Sequence, residues 1–405
     1  MIKIDSQVMK NHNALMIIRM VQQNPMISRT DLTQRVGLTP ASVINITNSL
    51  MESGILVQAG LTDGSAQGRR ALLLNVNPKV AYVLGLHMDT EAVTVSVGDY
   101  SGNFVSTVKT PISSYEGCQS ILDKMFAATE QSLRESGVDA GKVLGMGMSL
   151  PGPLDSQAGV MINPPNFPDW KNIPIRQIFE KRLGIPVCCD RETNAAALAE
   201  CYLGAGVGYQ TVFFLSLFQL GVGGALVSSG NVLHGFCDGA GEIGHSTVDP
   251  AGPLCTCGNY GCLEALVSGK ALVEHAQRLY KMRVGARRVE IDIEHLQLED
   301  VFRLSEAGDE VCLHVVTQAA SYISVALGNV ISFFSPEVII LGGELPAMSP
   351  QLVQLIRDRV CQRVYPRHCS EVHVTTARFG SAVFTKGAIV QALNAFAPNL
   401  LAKEL

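Results

Sequence analysis

The pattern of apolar and polar positions changes near residue 80. Before it, apolar residues recur at helical spacing: in "ALMIIRMVQQ", Leu15, Ile18 and Val21 form one stripe of a helix. Beyond Pro78, apolar residues come in short runs such as "YVLGLHMD", "AVTVSVGD" and "VLGMGMSL", which are typical of strands. The pattern therefore predicts a small helical module followed by an α/β body.

Two further helices joined by a tight turn follow in the module. "SRTDLTQRVG" opens with Ser28, carries Asp31 three residues later as in a capping box, and stops at Gly37. Thr39 is a natural N-cap, with Pro40 at the first position of the helix "PASVINITNSLMESG". The pair predicts a helix-turn-helix, and "ILVQAGLTDGSAQGRRALLLNVNP" predicts two strands around a polar turn, a wing.

The second helix of the pair would be the recognition helix, and its polar side chains are short and uncharged. Asparagine can form bidentate contacts to adenine, and serine can bond several base edges. Arginines of the wing could reach phosphate or an adjacent minor groove. We predict double-stranded DNA as a partner, contacted by Arg29, Thr39, Ser42, Asn45, Asn48, Arg69 and Arg70. A protein-interaction module of three helices and a hairpin is the alternative.

Charge and composition agree with this division. The chain has 405 residues, 47% of them hydrophobic, enough for two or three domains. Residues 1–80 hold eight Lys or Arg and four Asp or Glu, whereas the whole chain carries −5, so a basic module on an acidic body is expected to meet a polyanion. No leader pattern opens the sequence, and the apolar run 212–227 is interrupted by Ser, Gln and glycines. A soluble, cytoplasmic protein is expected.

The body contains two similar sets of elements. A meander of strands and a helix leads to "VLGMGMSL", and a second set, "TVFFLSLF", "GGALVSSG" and "NVLHG", precedes helices and "PEVIILGGE". Two α/β lobes with a ligand cleft between them are predicted. The expected domains are 1–80, a small lobe of 81–190 plus 380–405, and a large lobe of 191–379.

Three of the eleven cysteines lie within eight residues, in "LCTCGNYGCLE". With the histidine of "GEIGH" they form the set His245, Cys255, Cys257 and Cys262. One imidazole and three thiolates suit a tetrahedral Zn²⁺ without an open position, which is a structural site. Three reduced thiols and an unrelated histidine are the alternative.

Together these features resemble the ROK family of repressors, open reading frames and kinases, from the helix-turn-helix almost to the C-terminus. The resemblance rests on the motifs "GEIGH" and "CTCGNYGCLE", the second of which matches the family pattern C-x-C-G-x-x-G-C-x-E. The resemblance implies an α/β body of the actin-like, ribonuclease H-like sugar-kinase fold, and it is strongest to the regulators of glucose, N-acetylglucosamine and xylose genes.

The resemblance also implies sugar-contacting positions. A zinc-bound histidine would donate from its second ring nitrogen to the sugar, joined by two carboxylates, by residues of "RETN", and by residues of the other lobe. The implied set is Gly152, Asn166, Arg191, Glu192, Glu242, His245 and Glu264. Trp170 is expected to be a core or lid aromatic rather than a stacking partner of the sugar.

Three motifs depart from those of ROK kinases. "HMDTE" stands where D-x-G-G-T holds phosphate, "FQLGVGGA" where L-G-T-G-x-G-G-G does, and "RETN" where N-D-x-N supplies the catalytic base. Because each change affects phosphate binding or near-attack geometry, no enzymatic activity is expected. A ROK sugar kinase with an added helix-turn-helix is the alternative.

The resulting prediction is a sugar-responsive repressor of carbohydrate genes. A sugar or sugar phosphate would set the arrangement of two winged helices in a homodimer, or in a dimer of dimers. The two helices would read half-sites about 34 Å apart or a multiple of that distance. A membrane sugar-transport protein is a further partner that the resemblance leaves open.

Overall fold

The computed structural model describes residues 6–61, 71–282, 292–363 and 372–404. Its contacts divide the chain into two units, residues 1–195 with 384–405, and residues 196–383. The finer division into three domains stays a prediction.

The first unit begins with the winged helix. Its elements are α1 (Ser6–Gln23), β1 (Ile27–Ser28), α2 (Arg29–Val36), α3 (Pro40–Glu52), β2 (Leu56–Leu61) and β3 (Leu72–Val76), with the strands in the order β1-β3-β2. The predicted caps are confirmed. The Ser28 hydroxyl accepts from the backbone N–H of Asp31, Gly37 ends α2 in the left-handed conformation, and the Thr39 hydroxyl accepts from the N–H of Ser42.

A five-stranded mixed sheet forms the rest of the first unit. In chain order its elements are β4 (Tyr82–Met88), β5 (Ala92–Asp99), β6 (Phe104–Pro111), α4 (Cys118–Ser136), β7 (Val143–Leu150), β8 (Leu154–Asp155), β9 (Val160–Met161), α5 (Ile175–Leu183), β10 (Val187–Arg191) and the start of α6 (Glu192–Leu203). The sheet order is β10-β7-β4-β5-β6, and β8 pairs with β9 in a separate two-stranded sheet. Helices α4 and α5 pack with the sheet in one apolar core, which includes Trp170 as expected.

The second unit holds another five-stranded mixed sheet, in the order β13-β12-β11-β14-β15. In chain order its elements are β11 (Thr211–Leu217), β12 (Val222–Ser228), β13 (Asn231–Val232), α7 (Leu263–Val267), α8 (Gly269–Met282), α9 (Leu298–Glu306), α10 (Glu310–Phe334), β14 (Val338–Gly342), α11 (Glu344–Met348), α12 (Pro350–Val360) and β15 (His373–Thr376). Among the described helices, α10 has the length and apolarity to cross a membrane, but 61% of its most apolar window is buried. Such burial is typical of the core helix of a folded domain.

The last helix, α13 (Val383–Glu404), returns to the first unit. Glycines of the first sheet let it approach closely: a Cβ on Gly147 would lie 2.0 Å from the carbonyl oxygen of Ala388, and one on Gly85 2.6 Å from the side chain of Ile389. Further along, Leu393 and Leu401 join the same apolar core as the winged helix. One helix thus contacts both the sheet and the DNA-binding module.

Candidate functional site

Helix α3 turns one side toward the core of the winged helix and leaves the other exposed. Val43, Thr47 and Leu50 are buried. The exposed residues of α3 are Pro40, Ala41, Ile44, Asn45, Asn48 and Glu52. Reading the polar residues alone missed Ala41 and Ile44, although their helical spacing from Asn48 could have placed them on this side.

Four of the predicted DNA contacts already form side-chain hydrogen bonds with one another. The hydroxyls of Thr39 and Ser42 are 2.9 Å apart and share a hydrogen bond. The Arg29 guanidinium donates from Nη2 to the Asn48 side-chain oxygen at 2.5 Å. Asn45 is exposed and forms no side-chain hydrogen bond within the described chain. Arg69 and Arg70 lie outside the described residues, so their part in the wing stays a prediction.

The cysteine loop is folded by short backbone pairings. Leu254 pairs with Tyr260, and Thr247 with Cys262, in isolated antiparallel bridges. Gly261 has φ 64°, and a Cβ there would lie 1.6 Å from the carbonyl oxygen of Asp249. Only glycine allows this approach, and it brings Cys262 back to the turn Ile243–His245.

The four predicted metal ligands meet in space. One ligand atom from each of His245, Cys255, Cys257 and Cys262 lies within 4.8 Å of the others. The Cys257 and Cys262 sulfurs are 3.6 Å apart, and the Cys255 sulfur is 3.7 Å from His245 Nδ1. Tetrahedral Zn²⁺ with Zn–S bonds of about 2.3 Å places neighbouring sulfurs about 3.8 Å apart. The donor set therefore fits zinc in both chemistry and spacing.

The thiols of this cluster differ in acidity. A hydrogen bond from the backbone N–H of Asn259 lowers the pKa of Cys257 to about 7. Burial raises the pKa of Cys262 to about 12. A divalent cation favours the thiolate form of all three cysteines, whereas the protein by itself favours it at Cys257.

Three of the predicted sugar residues belong to the second unit. Glu242 precedes the turn Ile243–His245 and is exposed, whereas His245 ends that turn and is half-buried. Glu264 lies in the first turn of α7, and its carboxylate accepts from the backbone N–H of Val222 at 3.1 Å. His245 faces the cysteines through Nδ1, so Nε2 is the nitrogen that a ligand could use.

The other predicted sugar residues belong to the first unit. Arg191 ends β10 beside Gly152, where an added Cβ would lie 3.3 Å from the arginine Cδ. Glu192 begins α6. Its pKa is raised to about 7, mainly by burial and to a smaller extent by repulsion from Asp89. Asn166 is exposed in the loop after β9.

The chain's own carboxylates bind backbone N–H groups in both turns that resemble phosphate turns. In "HMDTE", Asp89 accepts from the N–H groups of Glu91 and Ala92, each at 2.7 Å. In "FQLGVGGA", Glu344 accepts from the N–H of Gln219 at 3.0 Å, and Glu264 from that of Val222. His87, in the place of the kinase acid, is buried and stacks on Phe384, and burial lowers its pKa to about 4.

Comparison with known proteins places these features in a family. The model of the ROK family matches residues 83–394, and that of winged helix-turn-helix DNA-binding domains matches residues 10–57. The chain belongs to the ROK family.

The chain is similar both to transcriptional regulators and to sugar kinases of this family. A xylose repressor from Caldicellulosiruptor bescii is 25% identical, with 96% of each chain covered. The crystal structure of a ROK family transcriptional regulator, a homolog of the Escherichia coli Mlc protein, is 27% identical, covers 98% of this chain and 99% of its own, and has a TM-score of 0.79. A ROK hexokinase from Thermus thermophilus is 32% identical with a TM-score of 0.67, and covers 78% of this chain and 98% of its own.

The regulators match the winged helix as well as the body of this ROK protein. The predicted fold class, family and function are confirmed: a winged helix-turn-helix on an actin-like ROK body, acting as a sugar-responsive DNA-binding repressor. The cysteine cluster is consistent with the zinc site of ROK proteins. The individual DNA and sugar contacts stay predictions.

Proposed function

We propose that this ROK protein represses carbohydrate genes, releases its operator when a sugar binds, and carries out no phosphoryl transfer. The observation that carries this proposal is the occupation of both phosphate-like turns by the chain's own carboxylates, in a protein that keeps its helix-turn-helix caps.

The carboxylates act against nucleotide binding in two ways. A phosphate-binding turn works because several unpaired N–H groups point at the anion. Here Asp89, Glu264 and Glu344 already accept from such groups. A nucleotide phosphate would have to displace them and would also be repelled by their charge, by about 4 kcal/mol for two unit charges 4 Å apart near a protein surface.

We propose that Glu242, Glu264 and His245 Nε2 bond sugar hydroxyls, and that Gly152, Asn166, Arg191 and Glu192 supply the contacts from the first unit. Zinc, when bound, supplies a fixed orientation and tautomer for His245 rather than a reactive water. The effector class is a pentose, a hexose or a phosphate of either, since regulators related to this chain include a xylose repressor.

We propose that helix α13 transmits the effect of sugar binding to the winged helix. Its first turn stacks Phe384 on His87, and Lys386 donates to the carbonyl oxygen of Gly102 at 2.7 Å. Its later turns form one core with the winged helix. A sugar that binds one orientation of this helix better than another would shift the winged helix with it.

We further propose a homodimer or dimer of dimers acting in the cytoplasm. Two winged helices would read half-sites about 34 Å apart, and a membrane sugar-transport protein remains a second partner to test by co-purification.

The test is operator binding of zinc-loaded full-length protein, measured by fluorescence anisotropy on DNA selected from a random pool. Xylose, glucose, N-acetylglucosamine and their phosphates are added in turn, and at least one should weaken binding tenfold or more. Glu242→Gln should raise the sugar concentration required, whereas Glu299→Gln, an exposed carboxylate on α9, should not. ATP-dependent turnover of any of these sugars, or an operator indifferent to all of them, would contradict the proposal.

A further inference from the structure

The exposed side of α3 carries an apolar residue where its reading surface should lie. Ile44 is 43% exposed and takes no part in the apolar core of the winged helix. It lies beside Ala41 and Asn45 on a helix without Lys or Arg. A β-branched residue adds nothing to an exposed helix by propensity, so folding gives no reason for this choice.

The contact between Arg29 and Asn48 restricts how the Asn48 side chain can approach a base. Bidentate recognition of adenine needs the asparagine oxygen as acceptor and its NH₂ as donor. In Asn48 that oxygen already accepts from Arg29 at 2.5 Å, which uses one of its two lone pairs and fixes the orientation of the amide. Arg29 is therefore the positioning residue of Asn48.

Asn45 keeps both halves of its amide for a base. It is exposed, one residue from Ile44, and forms no side-chain hydrogen bond in the described part of the chain. In the major groove, the features that distinguish an A·T pair are the adenine N6 and N7 edge and the thymine 5-methyl group. An asparagine beside an exposed isoleucine matches both.

We propose that Ile44 determines operator specificity by packing against a thymine 5-methyl group in the major groove, with the methyl group of Ala41 alongside. This rests on the DNA-binding function of the protein and goes beyond it, because it assigns the base feature that α3 reads. Each half-site should then contain at least one thymine whose methyl group contributes to affinity.

The experiment compares thymine with deoxyuridine, which lacks only that methyl group. The operator is first selected from random duplexes with the zinc-loaded full-length protein, and each thymine of a half-site is then replaced in turn. Loss of one buried methyl should weaken binding about fourfold at the contacted position. In Ile44→Ala the same replacement should change affinity less than about 1.5-fold, because the partner of the methyl group is gone.

Leu313→Ala is the matched control, since Leu313 is 38% exposed on α10 in the second unit; it should keep the fourfold effect. Ile44→Val, which retains the branched carbon, should keep most of it. Thermal unfolding of each variant verifies that the exposed substitution leaves the fold intact. If affinity did not depend on any thymine methyl group, or depended on it equally in Ile44→Ala, the role assigned to Ile44 would be refuted while the DNA-binding function would stand. Failure to enrich any sequence would overturn the DNA-binding function along with that role.

Discussion

Leu393→Ala tests whether α13 couples the sugar response to the winged helix. Leu393 is 7% exposed and packs in the core shared by α13 and α1. It also lines a cavity of about 20 Å³ together with Leu15, Ile18 and Tyr100. The substitution would enlarge a space that already exists at this junction.

The expected cost follows from the atoms removed. Three buried carbon atoms at about 0.8 kcal/mol each give about 2.4 kcal/mol. The added cavity contributes about 1 kcal/mol more if the helices do not close on it. A destabilisation of about 3–4 kcal/mol at this junction would release α1 from α13 far more often than in the native protein.

Two measurements separate coupling from stability. Hydrogen exchange should speed up in α1, and the factor by which the sugar weakens operator binding should fall toward one, while sugar affinity stays within about twofold. Leu352→Ala makes the same change at a fully buried position of α12 in the second unit and should leave the coupling factor unchanged. Equal loss of coupling in both variants, or native coupling in Leu393→Ala, would refute the role of α13.

Three further outcomes are expected. Cys257→Ser should lose bound zinc by elemental analysis and shift the thermal midpoint downward, because a ligand contributes its binding free energy to the folded state. Burial raises the folded pKa of Glu192 to about 7, so protonated Glu192 stabilises the fold fully below about pH 4.5, and this contribution is lost as the pH rises to 7. Burial lowers the folded pKa of His87 to about 4, so the contribution of neutral His87 is complete above about pH 6.5 and is lost as the pH falls to 4. Glu192→Gln should therefore reveal a steeper loss of stability on acidification, read from denaturant midpoints at each pH. Glu200→Gln should cost about 1–3 kcal/mol in urea unfolding, because its buried carboxylate accepts from three backbone N–H groups and the amide would turn an N–H toward one of them.

The controls for these variants are of the same chemical type. Cys361→Ser changes an exposed thiol outside the cluster and should retain zinc. Glu299→Gln replaces an exposed carboxylate and should shift neither stability nor its pH dependence. Zinc retained in Cys257→Ser, an unchanged pH profile in Glu192→Gln, or native stability in Glu200→Gln would each contradict the corresponding assignment.

Local features of this protein were determined by the sequence alone. The caps at Ser28 and Thr39 act over three residues, and the cysteines of the metal cluster lie within eight residues of one another. Over such distances backbone geometry leaves few alternatives. The alternation of strands and helices likewise predicted the α/β class, because the periodicity records which face each element buries.

Contacts between distant segments were decided only by the tertiary structure. The Glu344 carboxylate reaches the N–H of Gln219 across 125 positions of sequence. Arg29 reaches Asn48 only because α2 and α3 pack side by side. Spacing cannot reveal such partners, since a carboxylate or amide bonds whichever donor the fold brings within about 3 Å. The sequence therefore determined which residues carry the chemistry, and the packing decided which of them are already engaged and which remain to meet DNA or sugar.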